Sequence, residues 1–179
     1  GKLLPRANSL QALTNGRSEN TQQGLVAVES LEIQHLDNKA FDIVFPLLHG
    51  PNGEDGSVQG MLRLMGLAFV GSDVLGSAVG MDKLMMKSVF AAHGLPQINY
   101  QAVNRNDWQT NPAKVLTRIR RLGFPVFVKP ANLGSSVGIS KAYNETTLRA
   151  ALDEAAKHDR RIIVEEAVSQ PRELEVAVL

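Results

Sequence analysis

Short apolar segments and amphipathic helical segments alternate along the chain from residue 41 to residue 166. The run FDIVFPLLHG is almost continuously apolar, which is typical of a strand buried on both faces of a parallel sheet. A glycine-containing loop follows, and SVQGMLRLMG then has apolar residues at helical spacing. FPVFVKP, TLRAALDEAAKH and RIIVEEAV repeat the alternation. This order predicts an α/β fold.

The two ends of the chain differ from this central part. Residues 1–40 are rich in Asn, Gln, Ser and Gly, with one strand-like run, GLVAVESLEIQHL. The first residue is Gly rather than Met, and the final LEVAVL has the apolar, β-branched character of a strand with no turn after it. We therefore expect the sequence to be a piece of a longer protein.

The composition excludes several classes of partner and site. Lys and Arg together number 19 and Asp and Glu 18, so the net charge of +1 favours neither nucleic acid nor a membrane surface. Cysteine is absent, which removes disulfides, thiolate nucleophiles and cysteine-ligated zinc. No apolar run approaches the roughly 20 residues that span a bilayer, and the chain does not open with a secretion signal. We expect a cytoplasmic protein.

The segment FVKPANLGSSVGIS is a candidate anion-binding site, although it matches neither G-x-x-x-x-G-K-[ST] nor G-x-G-x-x-G. Lys129 ends an apolar strand, where its ammonium group must reach solvent or meet an anion. Gly134 and Gly138 allow backbone N–H groups to approach a ligand, and Ser135 and Ser136 add hydroxyl donors. A plain turn beside a solvated lysine is the alternative interpretation.

The helix predicted in MDKLMMKSVFAAHGLP has Leu84, Met85 and Ala91 or Ala92 on its inward side. Lys83 lies in its first turn, where the helix dipole and a cation together favour an anion. An exposed lysine beside Asp82 is the simpler explanation. His49 follows a predicted buried strand at its carboxyl end, where ligands collect in open α/β sheets. A histidine of the core is the alternative interpretation.

Two pairs of acidic residues are further candidates. Glu54 and Asp55 lie between glycines and could simply accept hydrogen bonds from the backbone of a turn. Glu165 and Glu166 end a predicted strand. Since adjacent side chains on a strand point to opposite faces, at most one of these two carboxylates enters a given cleft.

Three stretches taken together resemble the D-alanine–D-alanine ligase family of the ATP-grasp superfamily. They are LLHGPNGEDGSVQGMLRLMGLAFVGSDVLGSAVGMDK, FPVFVKPANLGSSVGISK and IIVEEAVSQPRELEVAVL, and the similarity runs from Phe41 to Leu179. The resemblance implies an incomplete N-terminal α/β domain with a parallel sheet in residues 1–80. It also implies the central lobe of an ATP-grasp fold in residues 81–172, and the first strand of a third domain in residues 173–179.

The resemblance implies roles for the nucleotide-binding residues. Lys83 and Lys129 would contact the α and β phosphates of ATP, and the loop Gly134, Ser135, Ser136, Val137 and Gly138 would fold over the triphosphate. Ser135 would also link this loop to the substrate side.

By the same resemblance, Glu165 would accept the adenine amino group, and the backbone at Glu166 and Val168 would contact the adenine edge. Glu173 would hold the ribose hydroxyls. His49 would lie beside an acyl phosphate, and Glu54 would belong to the polar network around the first D-alanine.

The activity implied is ATP-dependent ligation of two D-alanines through an acyl phosphate, for peptidoglycan precursor synthesis. Family members use Mg²⁺ or Mn²⁺ and are commonly homodimers. The family's metal ligands lie beyond the matching region, so we assign no metal ligand in this chain and expect the 179 residues alone to be inactive.

Alternative functions follow from the same residues. A D-alanine–D-lactate ligase shares these motifs, and a nucleotide-binding remnant without catalysis would also keep them. A dinucleotide-binding dehydrogenase would need a G-x-G-x-x-G turn followed by an acidic residue, and the sequence has none.

Overall fold

The computed structural model describes residues 2–5, 26–27 and 41–176. The chain divides into two compact units, Gly1–Ala78 and Val79–Leu179. Most of the strand-like run GLVAVESLEIQHL lies outside the described residues, as do the last three residues of LEVAVL.

The first unit contains a small sheet of three strands, β1 (Lys2–Pro5), β2 (Val26–Ala27) and β3 (Phe41–Phe45). Its order is β2-β1-β3, and both pairings are antiparallel. Helix α1 (Ser57–Leu64) follows β3, and helix α2 (Val74–Met81) comes next. Val44, Leu62 and Leu67 form the buried core that connects β3 with α1 and the segment after it.

The pairing of β3 differs from the parallel sheet that we expected. Among the described residues, parallel pairing occurs at one bridge, between Val44 and Phe69, whereas the pairings among β1, β2 and β3 are antiparallel. Burial is also more one-sided than expected for FDIVFPLLHG, since Val44 is buried and Leu47 is 48% exposed. An apolar run indicates burial but carries no information about the direction of the neighbouring strand.

The second unit is built on an antiparallel sheet of four strands in the order β4-β7-β5-β6. The strands are β4 (Tyr100–Asn104), β5 (Val126–Pro130), β6 (Ser140–Ala142) and β7 (Arg161–Glu166). The helices are α3 (Lys83–Ala92), α4 (Arg105–Thr110), α5 (Pro112–Ile119) and α6 (Glu145–His158), and a short 3₁₀ turn, Arg120–Leu122, follows α5.

One face of this sheet carries the main hydrophobic core. Helix α6 buries the four residues that its periodicity predicts, Leu148, Ala151, Leu152 and Ala155. They belong to one cluster with Val126 and Val128 of β5 and with Ile162 and Val164 of β7. Because side chains alternate along a strand, Lys129, Ile163 and Glu165 point to the opposite face.

Helix α3 packs on that opposite face through Leu84, which clusters with Ala131 and Ile163. The second unit therefore has an apolar core on one face of its sheet and a mixed polar layer on the other.

Among the described residues, no helix is both long enough and apolar enough to cross a membrane.

Candidate functional site

The start of helix α3 is held in place by a buried carboxylate. Asp82 caps the helix by accepting hydrogen bonds from the backbone N–H groups of Leu84 and Met85, each at 3.0 Å. Its other oxygen forms an ion pair with Arg161 at the beginning of β7. A capping residue of this kind stabilises a helix by about 1 kcal/mol. The cap and the ion pair together fix the position of Lys83, the first residue of α3.

Lys83 connects α3 to the segment that follows β5. Its ammonium nitrogen donates to the backbone carbonyl of Leu133 at 2.5 Å and lies 3.5 Å from that of Ala131. Its backbone N–H also donates to the Ala131 carbonyl, at 3.0 Å. The ammonium group of Lys83 is therefore hydrogen-bonded to the residue that directly precedes the loop Gly134–Gly138.

Glu165 is the centre of a charged cluster that we call the lysine–glutamate cluster, made of Lys83, Lys87, Lys129 and Glu165. Lys129 Nζ lies 2.5 Å from one carboxylate oxygen of Glu165, and Lys87 Nζ lies 3.0 Å from the other. Only 7% of the Glu165 side chain is exposed. The sheet brings Lys129 and Glu165 together because β5 and β7 are neighbours and both side chains are on the same face.

The pKa values in this cluster follow from burial and charge. Burial by itself would raise the pKa of Glu165, but the hydrogen bonds and charges of Lys129 and Lys87 outweigh it and hold that pKa below its usual value. Burial lowers the pKa of Lys83, and the charge of Lys129 lowers it further. Two ammonium groups contact the Glu165 carboxylate, and that of Lys83 acts on it through its charge, as it does on Asp82 and Asp159. The four side chains of the cluster together carry a net positive charge.

Sequence analysis missed Lys87. We expected Leu84, Met85 and Ala91 or Ala92 on the inward side of α3. The structure buries Leu84 and Lys87, leaves Met85 46% exposed and leaves both alanines exposed. The available signal was the spacing of Lys83 and Lys87, which are four residues apart and therefore on the same face of the helix.

The loop Gly134–Gly138 has an unusual backbone. Ser135 and Ser136 have φ values of 50° and 58°, in the left-handed region that serine rarely adopts. Gly138 has a φ of 69°, and a Cβ atom there would lie 2.8 Å from both His158 Cδ2 and Pro130 Cγ. Val137 is 47% exposed, and both serines are exposed. The loop thus combines strained backbone with exposed serine side chains, whose hydroxyl groups can donate hydrogen bonds.

The other predicted nucleotide residues lie at and beyond the end of β7. Glu166 is on the face opposite Glu165, as strand alternation requires, and accepts a hydrogen bond from Asn99 Nδ2 at 2.9 Å. Its backbone N–H donates to the Asn99 carbonyl at 3.0 Å. Val168 and Glu173 are exposed in the segment after β7. The cluster contains Lys83, Lys129 and Glu165, and these other residues lie outside it.

His49 and Glu54 belong to the first unit and lie in an exposed loop. Glu54 accepts a hydrogen bond from the backbone N–H of Gly50 at 2.5 Å. Asp55 accepts from the N–H groups of Asn52 and Ser57, at 2.9 and 3.0 Å. Burial would raise the pKa of Asp55, but these hydrogen bonds lower it. Both carboxylates therefore do what a turn residue does, which is to accept from nearby backbone donors.

The described part of the chain does not fit a metal ion. Residues 2–5, 26–27 and 41–176 contain no group of three or more His, Asp or Glu side chains that could hold one. The charges that could bind an anion here are the ammonium groups of the lysine–glutamate cluster.

Comparison with known proteins identifies the chain's relatives. A family model described as "D-ala D-ala ligase C-terminus" matches residues 89–179, and one described as "D-ala D-ala ligase N-terminus" matches residues 4–72. A D-alanine–D-alanine ligase of Synechococcus sp. (strain CC9311) is 59% identical over 147 residues, which are 80% of this chain and 41% of that protein. One from Deinococcus radiodurans is 48% identical over 180 residues, covering 100% of this chain and 51% of that protein.

A comparison with solved structures also finds ligases. The VanG D-Ala:D-Ser ligase of Enterococcus faecalis matches with a TM-score of 0.67 and 37% sequence identity, over 73% of this chain and 37% of that one. The chain thus shares part of the fold of these ligases, the ATP-grasp fold, and spans about half or less of the relatives' length.

Proposed function

The chain belongs to the D-alanine–D-alanine ligase family, and we propose that it is part of a full-length protein that ligates two D-alanines with ATP for peptidoglycan precursor synthesis. The observation that carries this proposal is the lysine–glutamate cluster, in a chain with these relatives. We place the reaction in the cytoplasm, where ATP is available.

The electrostatics of the cluster support binding of a polyphosphate. Lys83 has a lowered pKa because it is partly buried next to Lys129, so a nearby anion would stabilise both ammonium groups. We propose that Lys83 and Lys129 hold the α and β phosphates. On nucleotide binding, Lys129 would exchange its contact with Glu165 for one with phosphate.

The loop Gly134–Gly138 is suited to cover the phosphates. Its serines combine strained backbone with exposed side chains, and backbone strain of this kind is concentrated at ligand-binding sites. We propose that Gly134, Ser135, Ser136, Val137 and Gly138 close over the triphosphate, with Ser135 linked to the substrate side. Such closure would keep water from a reactive acyl phosphate.

The remaining assignments are proposals from family membership. Glu165 would receive the adenine amino group, the backbone at Glu166 and Val168 the adenine edge, and Glu173 the ribose. His49 would act beside the acyl phosphate, and Glu54 would orient the first D-alanine.

The reaction we propose has two steps. A carboxylate oxygen of the first D-alanine attacks the γ-phosphorus and ADP leaves. The amine of the second D-alanine then attacks the acyl carbon, and phosphate leaves through a tetrahedral intermediate. This chain's residues contribute by neutralising the charge of the phosphates and by positioning the reacting groups. Mg²⁺ or Mn²⁺ would supply further neutralisation of phosphate charge when bound, and we assign its ligands to the rest of the full-length protein.

We further propose three parts in the full-length protein: an N-terminal domain to residue 80, a central lobe from 81 to 172, and a third domain that begins at 173. We propose a homodimer as its assembly. A D-Ala:D-Ser ligase also matches, over 73% of this chain, so we assign the choice of second substrate to residues outside it. A D-alanine–D-lactate ligase, which shares the motifs described above, is the second candidate.

The test is ADP release by the purified full-length protein, measured with D-alanine alone and with D-alanine plus D-lactate or D-serine across a range of pH. We expect D-alanine alone to support turnover, with D-alanyl-D-alanine as the product. D-lactate use with no dipeptide would favour the second candidate. Nucleotide binding without any ADP release would indicate a remnant that has lost catalysis. The 179-residue chain by itself should show no D-alanine-dependent ADP release.

A further inference from the structure

Lys87 is anchored differently from Lys129, although both contact Glu165. The Lys87 ammonium lies 3.0 Å from Glu165 Oε1, 3.4 Å from Gln97 Oε1 and 5.3 Å from the centre of the Tyr100 ring. The Lys129 ammonium has Glu165 Oε2 at 2.5 Å and the Phe127 ring at 5.6 Å. The exposed fractions of the two side chains are 10% and 25%. Lys87 thus has more partners than Lys129, and its side chain is less exposed to solvent.

Glu165 would lose its counterion on nucleotide binding if Lys129 were the sole cation in contact with it. It is buried, and a buried carboxylate that loses its counterion takes up a proton or destabilises the fold. In the proposed function Lys129 turns toward phosphate, which removes one of the two contacts that keep Glu165 ionised. Lys87 contacts the other oxygen and cannot follow the anion without leaving Gln97 and Tyr100 as well.

We propose that Lys87 is a positioning residue, the fixed counterion that keeps Glu165 ionised and oriented while Lys129 exchanges between Glu165 and a bound nucleotide. This inference rests on the proposed function, since it takes a polyphosphate as the anion. Within residues 41–176, the charged and titratable groups that face Glu165 are Lys83 and Lys87 on α3, Lys129 on β5, and Tyr100, its register partner on β4.

The test is proton uptake on binding of ADP with excess Mg²⁺ by the full-length protein. Titration calorimetry at pH 6 in buffers of different ionisation enthalpy gives the number of protons taken up. The unmodified protein should take up almost none, because Lys87 keeps Glu165 ionised. In Lys87→Met, Glu165 loses both counterions when ADP binds, so we expect uptake of roughly half a proton or more. Adding Glu165→Gln to Lys87→Met should abolish that uptake.

Lys114→Met is the matched control, because Lys114 is an exposed lysine on α5 and is not part of the cluster. It should behave as the unmodified protein does, and so should Lys87→Arg, which retains a cation. If Lys87→Met takes up no more protons than Lys114→Met, the proposal is overturned while the proposed function stands. If the unmodified protein does not bind ADP, the proposed function fails and this inference fails with it.

A second measurement needs no substitution, in case Lys87→Met does not fold. The side-chain ammonium signals of ¹⁵N-labelled lysine report the surroundings of each lysine by NMR. Addition of ADP should shift the Lys129 signal and leave that of Lys87 close to its original position, and the ¹³C signal of the Glu165 carboxyl should remain that of an ionised group. An equally large shift at Lys87 would contradict its role as the fixed partner.

Discussion

The lysine–glutamate cluster and the loop from Gly50 to Gly56 hold carboxylates in different ways. Glu165 is buried and depends on lysines from α3 and β5, which are distant in sequence. Glu54 is exposed and depends on a backbone N–H four residues away. The first arrangement exists only when the second unit is fully folded, whereas the second is a property of a local turn. Substitutions should therefore have large, pH-dependent effects in the cluster and small effects in the loop.

The largest effect should come from removing the packing that supports the sheet. Leu152 is fully buried between α6 and the sheet, so Leu152→Ala should lower the free energy of unfolding by about 3 to 5 kcal/mol, through lost burial and the cavity that remains. Urea denaturation of the 179-residue chain measures it. Leu174→Ala is the control, since Leu174 is 78% exposed and should change stability little. Equal effects would show that the core assignment is wrong.

Next in size is the effect of Lys129→Ala on nucleotide binding. Loss of a charge-assisted contact should weaken binding of ATP by the full-length protein by about 2 to 4 kcal/mol. Titration calorimetry measures the dissociation constant, with Lys114→Ala as the exposed-lysine control. An unchanged dissociation constant for ATP would refute the assignment of Lys129 to phosphate.

The comparison between the two carboxylates is tested by Glu165→Gln against Glu54→Gln. Because the folded pKa of Glu165 is lowered, its ionised form stabilises the fold above the ordinary glutamate pKa, and this contribution disappears as pH falls through the lowered folded value. Glu165→Gln should therefore destabilise the chain by about 2 kcal/mol at pH 7 and by much less near pH 3.

Glu54→Gln should cost only a few tenths of a kcal/mol at either pH, as expected for an exposed carboxylate in a turn. Chemical denaturation at the two pH values provides the measurement. A destabilisation by Glu165→Gln that does not depend on pH would mean that the ion pairs with Lys87 and Lys129 contribute little.

An effect between those of Glu165→Gln and Glu54→Gln is expected for the backbone of the serine loop. Gly138→Ala should destabilise the chain by about 1 to 2 kcal/mol, because its φ of 69° disfavours alanine and the new methyl group would meet His158 and Pro130. Gly80→Ala is the matched control, since Gly80 lies in helix α2 and a Cβ there meets nothing within 4 Å. Thermal unfolding should show a lower midpoint for the first variant and an unchanged or slightly higher one for the second.

The sequence predicted the parts of the fold that depend on periodicity. The apolar positions of α6 and the strands β5 and β7 follow directly from their patterns, and the family resemblance correctly identified the relatives. Strand direction in the first unit was not predictable, because antiparallel and parallel strands can share the same apolar composition.

The site was predicted less completely than the fold. Lys83, Lys129 and Glu165 were predicted, and the structure brings them together. Lys87 was not, because a lysine within a helix looks like a surface residue until its distant partner Glu165 is known. The left-handed backbone at Ser135 and Ser136 was also unpredictable, since serine has no local preference for it.

The strand order β4-β7-β5-β6 also affects how the molecule meets other chains. Strands β5 and β7 have neighbours on both sides, so within the described part of the chain the edge strands of this sheet are β4 and β6. Strand β6 has only three residues, and its middle residue is the exposed Lys141. A strand from another molecule would gain few hydrogen bonds there and would have to pack beside an ammonium group. The β6 edge is therefore protected against edge-to-edge aggregation.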